Sequence, residues 1–305
     1  MGDIHQARKT SNSATDQLAT ISRLFSSSVV REMARRGKSP LFARLASQSE
    51  LLHSISISGR VRALFDAAFS VLKREGHRDE YIYKSALTHK VLLGKHSLQT
   101  ASMINEFRVG ECKADVAILN GTASVYEIKS ERDSLARLER QIAAYATVFA
   151  KVYVIAPEKH LRAVISAVPN FVGILCLSSR HQISTCREAA DQPERTLPRA
   201  IFESIRTEEA RLILASFGVC VPRVPNTELS AVLRKAFLKL EPTQAHEGMV
   251  RVLKQTRNLL PLSSLVDELP LSLQTAALSV PLRKADHQRL VAAVNTRLKD
   301  AIGWT

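Results

Sequence analysis

Asp115-Val-Ala-Ile-Leu-Asn-Gly-Thr-Ala-Ser-Val-Tyr-Glu-Ile-Lys129 is the stretch whose reading decides the fold. Ala114 to Leu119 and Ser124 to Ser130 are short apolar-rich runs, and Asn120-Gly121 between them is the strongest local signal for a tight hairpin turn. Side chains alternate faces along a strand, so Val125, Glu127 and Lys129 share one side while Tyr126 and Ile128 take the other. An acid and an amine on the same face of a half-buried strand are costly unless they pair or hold an ion. Two carboxylates, Asp115 and Glu127, with Lys129 on adjacent strands give the sidedness that a metal-dependent phosphodiesterase needs.

Outward from this hairpin, Ile104 to Val109 adds a strand and completes a meander. Downstream, Asp133 reads as the N-cap of an amphipathic helix to about Ala150, followed by the strand Val152 to Ile155, a helix over Glu158 to Val168 and a strand Val172 to Leu177. A meander continued as β-α-β-α-β predicts an α/β core with a mixed β-sheet over residues 76–190. Residues 1–75 read as a helical N-terminal region whose polar tail, to about Leu18, is expected to be disordered. Ser39-Pro40 is a helix start, Ser58 caps Val61 to Lys73, Gly76 stops that helix, and Asp79 caps another through Leu93. Residues 191–305 read as a helical C-terminal region punctuated by prolines at helix boundaries.

The 305-residue chain is 45% hydrophobic and carries 43 Lys and Arg against 29 Asp and Glu, a formal charge of +14 with a pI near 9.9. That balance attracts polyanions, nucleic acid first among them. No apolar run reaches the ~18 residues of a membrane span, and the N-terminus lacks a secretory stretch, so no membrane partner and a cytoplasmic location are expected. Cys112, Cys176, Cys186 and Cys220 show no metal-ligand rhythm and read as reduced thiols. His89, His160 and His181 lack a partnered nucleophile, and Gly94, Gly110 and Gly121 make no phosphate-binding loop. Arg35, Arg36 and Lys38 cluster before Pro40, where they form either a solvated face or phosphate contacts. Arg234, Lys235, Lys239, Arg251, Lys254 and Arg257 offer the same choice, and there a solvated face on a helical scaffold is at least as well supported.

On the helix after the hairpin, Gln141 and Tyr145 stand one turn apart, with Arg137 extending their stripe and Leu138, Ile142 and Phe149 placed to pack on the sheet. A meander, Glu-x-Lys and then Gln-x-x-x-Tyr resembles the PD-(D/E)XK nuclease superfamily, its RecB-like branch in particular. The stretch Ile104 to His160 also resembles a family of uncharacterised bacterial and phage-encoded proteins within it. Ala114 departs from the superfamily's proline, at a position that varies widely.

The resemblance implies a restriction-endonuclease-like core flanked by N- and C-terminal helical regions. It implies a Mg²⁺-dependent nuclease acting on nucleic acid, DNA by preference, in a phage, mobile-element or defence setting. Asp115 and Glu127 would hold Mg²⁺ or Mn²⁺ with the Ile128 carbonyl. Lys129 would orient or deprotonate the attacking water, and Gln141 and Tyr145 would position nucleophile, phosphate or Lys129. Glu106 is open between a third metal carboxylate and a solvent-facing residue beside Arg108. Arg35, Arg36, Lys38 and Arg137 are the expected nucleic-acid contacts. The competing expectation is a binding or interaction module that keeps the fold with little turnover.

Overall fold

Asn120 pairs with Thr122 across Gly121, whose φ of +71° lies in the left-handed region that favours glycine, so the Asn-Gly signal forms the tight turn it marks. The turn sets the register: Ala117 lies opposite Val125 and Leu119 opposite Ala123, all buried in one core. The computed structural model describes residues 15–305. Most of the expected disordered tail therefore lies outside the described residues, whereas residues 15–18 belong to a helix over 15–23.

Six strands follow one another across the sheet in chain order: β1 (Ser102–Val109), β2 (Cys112–Asn120), β3 (Thr122–Ile128), β4 (Lys151–Pro157), β5 (Gly173–Leu177) and β6 (Ile183–Arg187). Strands β1 to β3 are antiparallel, β3, β4 and β5 are parallel, and β6 returns antiparallel to β5. The chain is thus an α/β protein with a mixed sheet and flanking helices. Strand β6 is absent from the sequence reading because its middle residues, Ser184 to Cys186, are exposed and leave no apolar run. Gly173 opens β5 against the Tyr153 ring, where an added Cβ would lie 2.3 Å from ring carbons. Any larger residue there would have to displace that ring.

Helices α1 (Leu138–Tyr145), α2 (Leu161–Ala167), α3 (Pro198–Ser204), α4 (Thr207–Ser216), α5 (Asn226–Phe237) and α6 (Pro242–Thr256) contribute to the sheet's core. Helix α1 is shorter than its amphipathic pattern. The Asp133 carboxylate accepts from the Ser130 N–H behind it (2.8 Å), so it closes a turn instead of capping the helix, and α1 starts only at Leu138. Leu138 and Ile142 are buried as expected, and Phe149 meets Phe107 edge-on at 5.2 Å.

Helix α6 touches β3 through His246, which is 2% exposed and whose Nε2 accepts from the Ala123 N–H at 3.4 Å. Burial lowers its pKa from 6.5 to about 4. The unfolded chain therefore binds the extra proton first. Its contribution to stability is present above pH 6.5 and is lost as pH falls towards about 4. Urea unfolding at a series of pH values should show that loss in the native chain and a smaller one in His246→Gln.

The compact units break the chain after Ser85 and after Leu260, not at residues 75 and 190. Residues 86–260 form the sheet unit, so the helices from Pro198 to Thr256 belong with the sheet. The other unit joins the N-terminal helices to Pro261–Thr305. Within it the Val61 N–H donates to the Thr296 carbonyl (3.0 Å) and the Leu298 N–H to Gly59 (2.8 Å), while Phe42 lies 5.7 Å from the Trp304 ring. Ser39 caps its helix through the Phe42 N–H (3.0 Å), as its sequence predicts. Ser58 does not cap; its hydroxyl bonds that of Ser56, and Arg60 takes the N-cap position. Asp79 caps through the Ile82 N–H (3.2 Å), and the helix it starts ends in a π-turn at Thr88–Leu92. No helix among the described residues is long and apolar enough to cross a membrane.

Candidate functional site

Pairing between β1 and β2 passes over one position on each strand: Asn105 faces Val116 and Phe107 faces Ala114, leaving Glu106 and Asp115 between them. Glu106 has a φ of +57°, a conformation that costs a non-glycine residue of order 1–3 kcal/mol. Both strands change faces at this point, since Phe107 and Ala114 enter the same core as Ala117 and Leu119. The Asp115 side chain crosses to β3, where its Oδ2 accepts from the Ile128 N–H at 2.7 Å. Two carboxylates thereby reach neighbouring positions of β3, Asp115 by that bond and Glu127 by its place in the strand.

Glu127 is 2% exposed and Lys129 5%. Their burial is tolerated because every charge is met. Lys129 Nζ donates to Glu127 Oε1 and to Gln141 Oε1, both at 2.9 Å. Gln141 Nε2 donates to the same Glu127 Oε1 (2.6 Å), and the Tyr145 hydroxyl donates to Glu127 Oε2 (2.8 Å). The spacing of Gln141 and Tyr145 on α1 explains this, because residues one helical turn apart can grip one carboxylate together. Half-buried Asp115 and Gln141 form the side of the cluster open to solvent.

Tyr145 lies deeper than Asp115 and Gln141. Its side chain is fully buried, and its hydroxyl also lies 3.0 Å from the Lys113 carbonyl. Burial, then the Glu127 charge, holds the phenol well above its usual pKa, so it stays a proton donor. Tyr145 therefore positions Glu127. Tyr145→Phe should lower unfolding free energy by about 1 kcal/mol, read by urea denaturation, since it removes one buried hydrogen bond and keeps the ring.

Glu106 takes the solvent-facing alternative, in an exposed ion pair with Lys113 at 2.9 Å. Arg137 is exposed at the start of α1. Arg35, Arg36 and Lys38 are exposed in the helical unit, where Arg35 and Arg36 lie in the last turn of the helix Ser27–Arg36 and complement its dipole. Arg257 is no surface cation. Its guanidinium forms two 2.8 Å bonds to buried Glu209 and sits over Phe107. Arg251 stays exposed, with its guanidinium over the Phe217 ring and bonded to the Ser216 hydroxyl. Glu131 escaped the sequence reading: it is 8% exposed, and neither carboxylate oxygen has a hydrogen-bond partner among the described residues. Its alternation with Glu127 and Lys129 was the available signal.

Among the described residues no three His, Cys, Asp or Glu side chains converge as a metal group. Asp115 and Glu127 nonetheless suit Mg²⁺, which is commonly held by one or two carboxylates with water and phosphate completing its octahedron. A carboxylate offers about four lone-pair positions. Lys129, Gln141 and Tyr145 occupy three on Glu127, which leaves room for a monodentate bond.

The molecule is an α/β protein with a buried, hydrogen-bonded carboxylate-lysine cluster between a mixed sheet and a short helix. Residues 73–259, more than half of the chain, match the family described as Bacteriophage P4 protein cII, and the chain belongs to that family. The matched residues include almost all of the sheet unit. Protein cII of Enterobacteria phage P4 is 36% identical over 92 residues, 30% of this chain and 35% of that protein. The chain thus spans about a third of the length of the curated relative it matches. A protein of unknown function from Silicibacter pomeroyi is 19% identical over 39% of this chain and 81% of its own, with a TM-score of 0.27, a likeness that carries no weight.

Proposed function

We propose that the chain is a Mg²⁺-dependent nuclease of the PD-(D/E)XK type that hydrolyses phosphodiester bonds of DNA. The observation that carries the reading is Lys129 Nζ held between Glu127 and Gln141 beside Asp115, since acid, amine and amide from separate elements meet there. Asp115 and Glu127, with the Ile128 carbonyl, would hold Mg²⁺ or Mn²⁺. Bound there, the ion would act as a Lewis acid on a phosphate oxygen and lower the pKa of a coordinated water. Lys129 places a positive charge where the phosphorane gains negative charge. Gln141 fixes that ammonium, and Tyr145 fixes the Glu127 carboxylate. The net charge of +14 supports a polyanionic substrate, and the family membership supports a phage or mobile-element setting.

A second reading is a binding module whose cluster only holds β3 to α1; the three internal donors already on Glu127 favour it. Incubating the purified chain with linear, circular and branched DNA, with and without Mg²⁺ or Mn²⁺, decides between the two. Metal-dependent cleavage upholds the nuclease. Binding without cleavage under every metal condition leaves the module.

DNA affinity should also depend on the helical unit. Replacing Arg35, Arg36 and Lys38 together by Ala should flatten the slope of log affinity against log salt by about one per lost phosphate contact. Filter binding across a salt series checks this. An unchanged slope identifies those residues as a solvated helix end.

A further inference from the structure

We infer that the chain holds a small organic anion, an apolar body carrying one carboxylate or phosphate, in a cavity on the sheet face opposite the carboxylate-lysine cluster. The cavity lies wholly within the sheet unit, opens to solvent and measures about 100 Å³. An enclosed apolar cavity of about 150 Å³ takes a whole benzene molecule, so this one seats a small ring or short chain that reaches outward. Strand alternation puts Tyr126 on the other side of β3 from Glu127, and it lines the cavity with Tyr153, Val91 and Leu175. The two tyrosine rings stack at 5.2 Å with 9° between their planes, and the Tyr153 hydroxyl donates to Glu188 Oε2 at 2.8 Å. The aromatic wall is thus held in place before any guest arrives.

Two close approaches of the backbone build the cavity. Gly173 leaves the Tyr153 ring room to lie against β5. At Gly94 an added Cβ would lie 2.8 Å from the His89 carbonyl oxygen and 2.9 Å from that of Lys90, so the chain leaves the π-turn Thr88–Leu92 only through a glycine. That turn brings Lys90 and Val91 to the cavity, and such turns are frequent at functional sites. Charge then selects the guest. Exposed Lys90 and Lys95 both line the cavity, and neither forms an ion pair among the described residues. Glu188 is the only carboxylate among the lining residues, and one of its oxygens already takes the Tyr153 hydroxyl. Two ammonium groups against one carboxylate favour an anionic head, while the tyrosine rings and Val91 cover an apolar body. The inference goes beyond the nuclease reading and stands without it.

The test is calorimetric titration of the full chain, in EDTA, with phenyl phosphate and separately with benzoate. Phenol and inorganic phosphate supply the body and the charge alone. At least one of the two organic anions should bind at a single site, about tenfold or more tightly than phenol or phosphate does; whichever binds better identifies the head group. Lys90→Gln combined with Lys95→Gln should weaken that binding by about tenfold, the loss expected for a charged hydrogen bond. Either single change covers the case in which the pair does not fold. Glu188→Gln should tighten binding, because its amide oxygen still accepts from Tyr153 while a repelling charge is gone. All three side chains are exposed, and thermal melts check that the variants fold. A wild-type chain that binds neither organic anion at millimolar concentration would overturn the inference, as would phenol or phosphate binding equally well. So would folded lysine variants that bind like wild type, or a Glu188→Gln chain that binds more weakly, since the guest would then lie elsewhere or be a cation.

Discussion

Asp115→Asn is expected to lower Mg²⁺-dependent DNA cleavage by more than about 100-fold, the scale on which losing electrostatic stabilisation of a developing charge is felt. The fold should survive. Asp115 Oδ2 accepts from the Ile128 N–H at 2.7 Å, and the amide oxygen of Asn can accept the same bond in the same place. What disappears is the negative charge beside Glu127, which the proposed cation would need. Cleavage rates over a Mg²⁺ series, with circular dichroism melts of both proteins, separate chemistry from folding. A variant that melts like wild type and cleaves at an unchanged metal-dependent rate would show that Asp115 holds no catalytic ion. A variant that melts far lower would assign Asp115 to the joint between β2 and β3 instead.

The hairpin and its cluster were legible because the information is local. Asn120-Gly121 dictates a turn, the turn dictates register, and register with strand alternation puts Glu127 and Lys129 on the face that α1 covers. Gln141 and Tyr145 follow from helical spacing alone. Where the reading missed, competing or distant partners decided the outcome. Asp133 has the chemistry of an N-cap, but Ser130 captured it from behind. The left-handed turn at Glu106 is written in no residue type, so strand alternation could not tell that its side chain would pair with Lys113. Arg257 reads as a surface cation until Glu209 is found on another helix. The second unit was hidden for the same reason: nothing near Val61 announces that its N–H is met by Thr296.

The largest effect on stability is expected from Glu127→Ala, about 3–5 kcal/mol, because breaking a buried pair from one side strands the other charge. Lys129, 5% exposed in the native chain, would have Gln141 Oε1 as its remaining acceptor among the bonds described, and the Tyr145 hydroxyl would fall back on the Lys113 carbonyl. Lys129→Met should cost less. It leaves Glu127 with the Gln141 amide and the Tyr145 hydroxyl, two donors that still meet both carboxylate oxygens. Glu127→Leu combined with Lys129→Met should then be more stable than Glu127→Ala alone, since apolar residues of similar volume carry no desolvation penalty into the space between β3 and α1. Urea unfolding of these variants measures both the asymmetry and the coupling. If each single change costs only a few tenths of a kcal/mol and the double change adds simply, the pair is solvated in the working protein, as exposed ion pairs are. A large cost for Glu127, a smaller one for Lys129 and recovery in the double variant would establish the buried, mutually satisfied cluster independently of whether it cleaves anything.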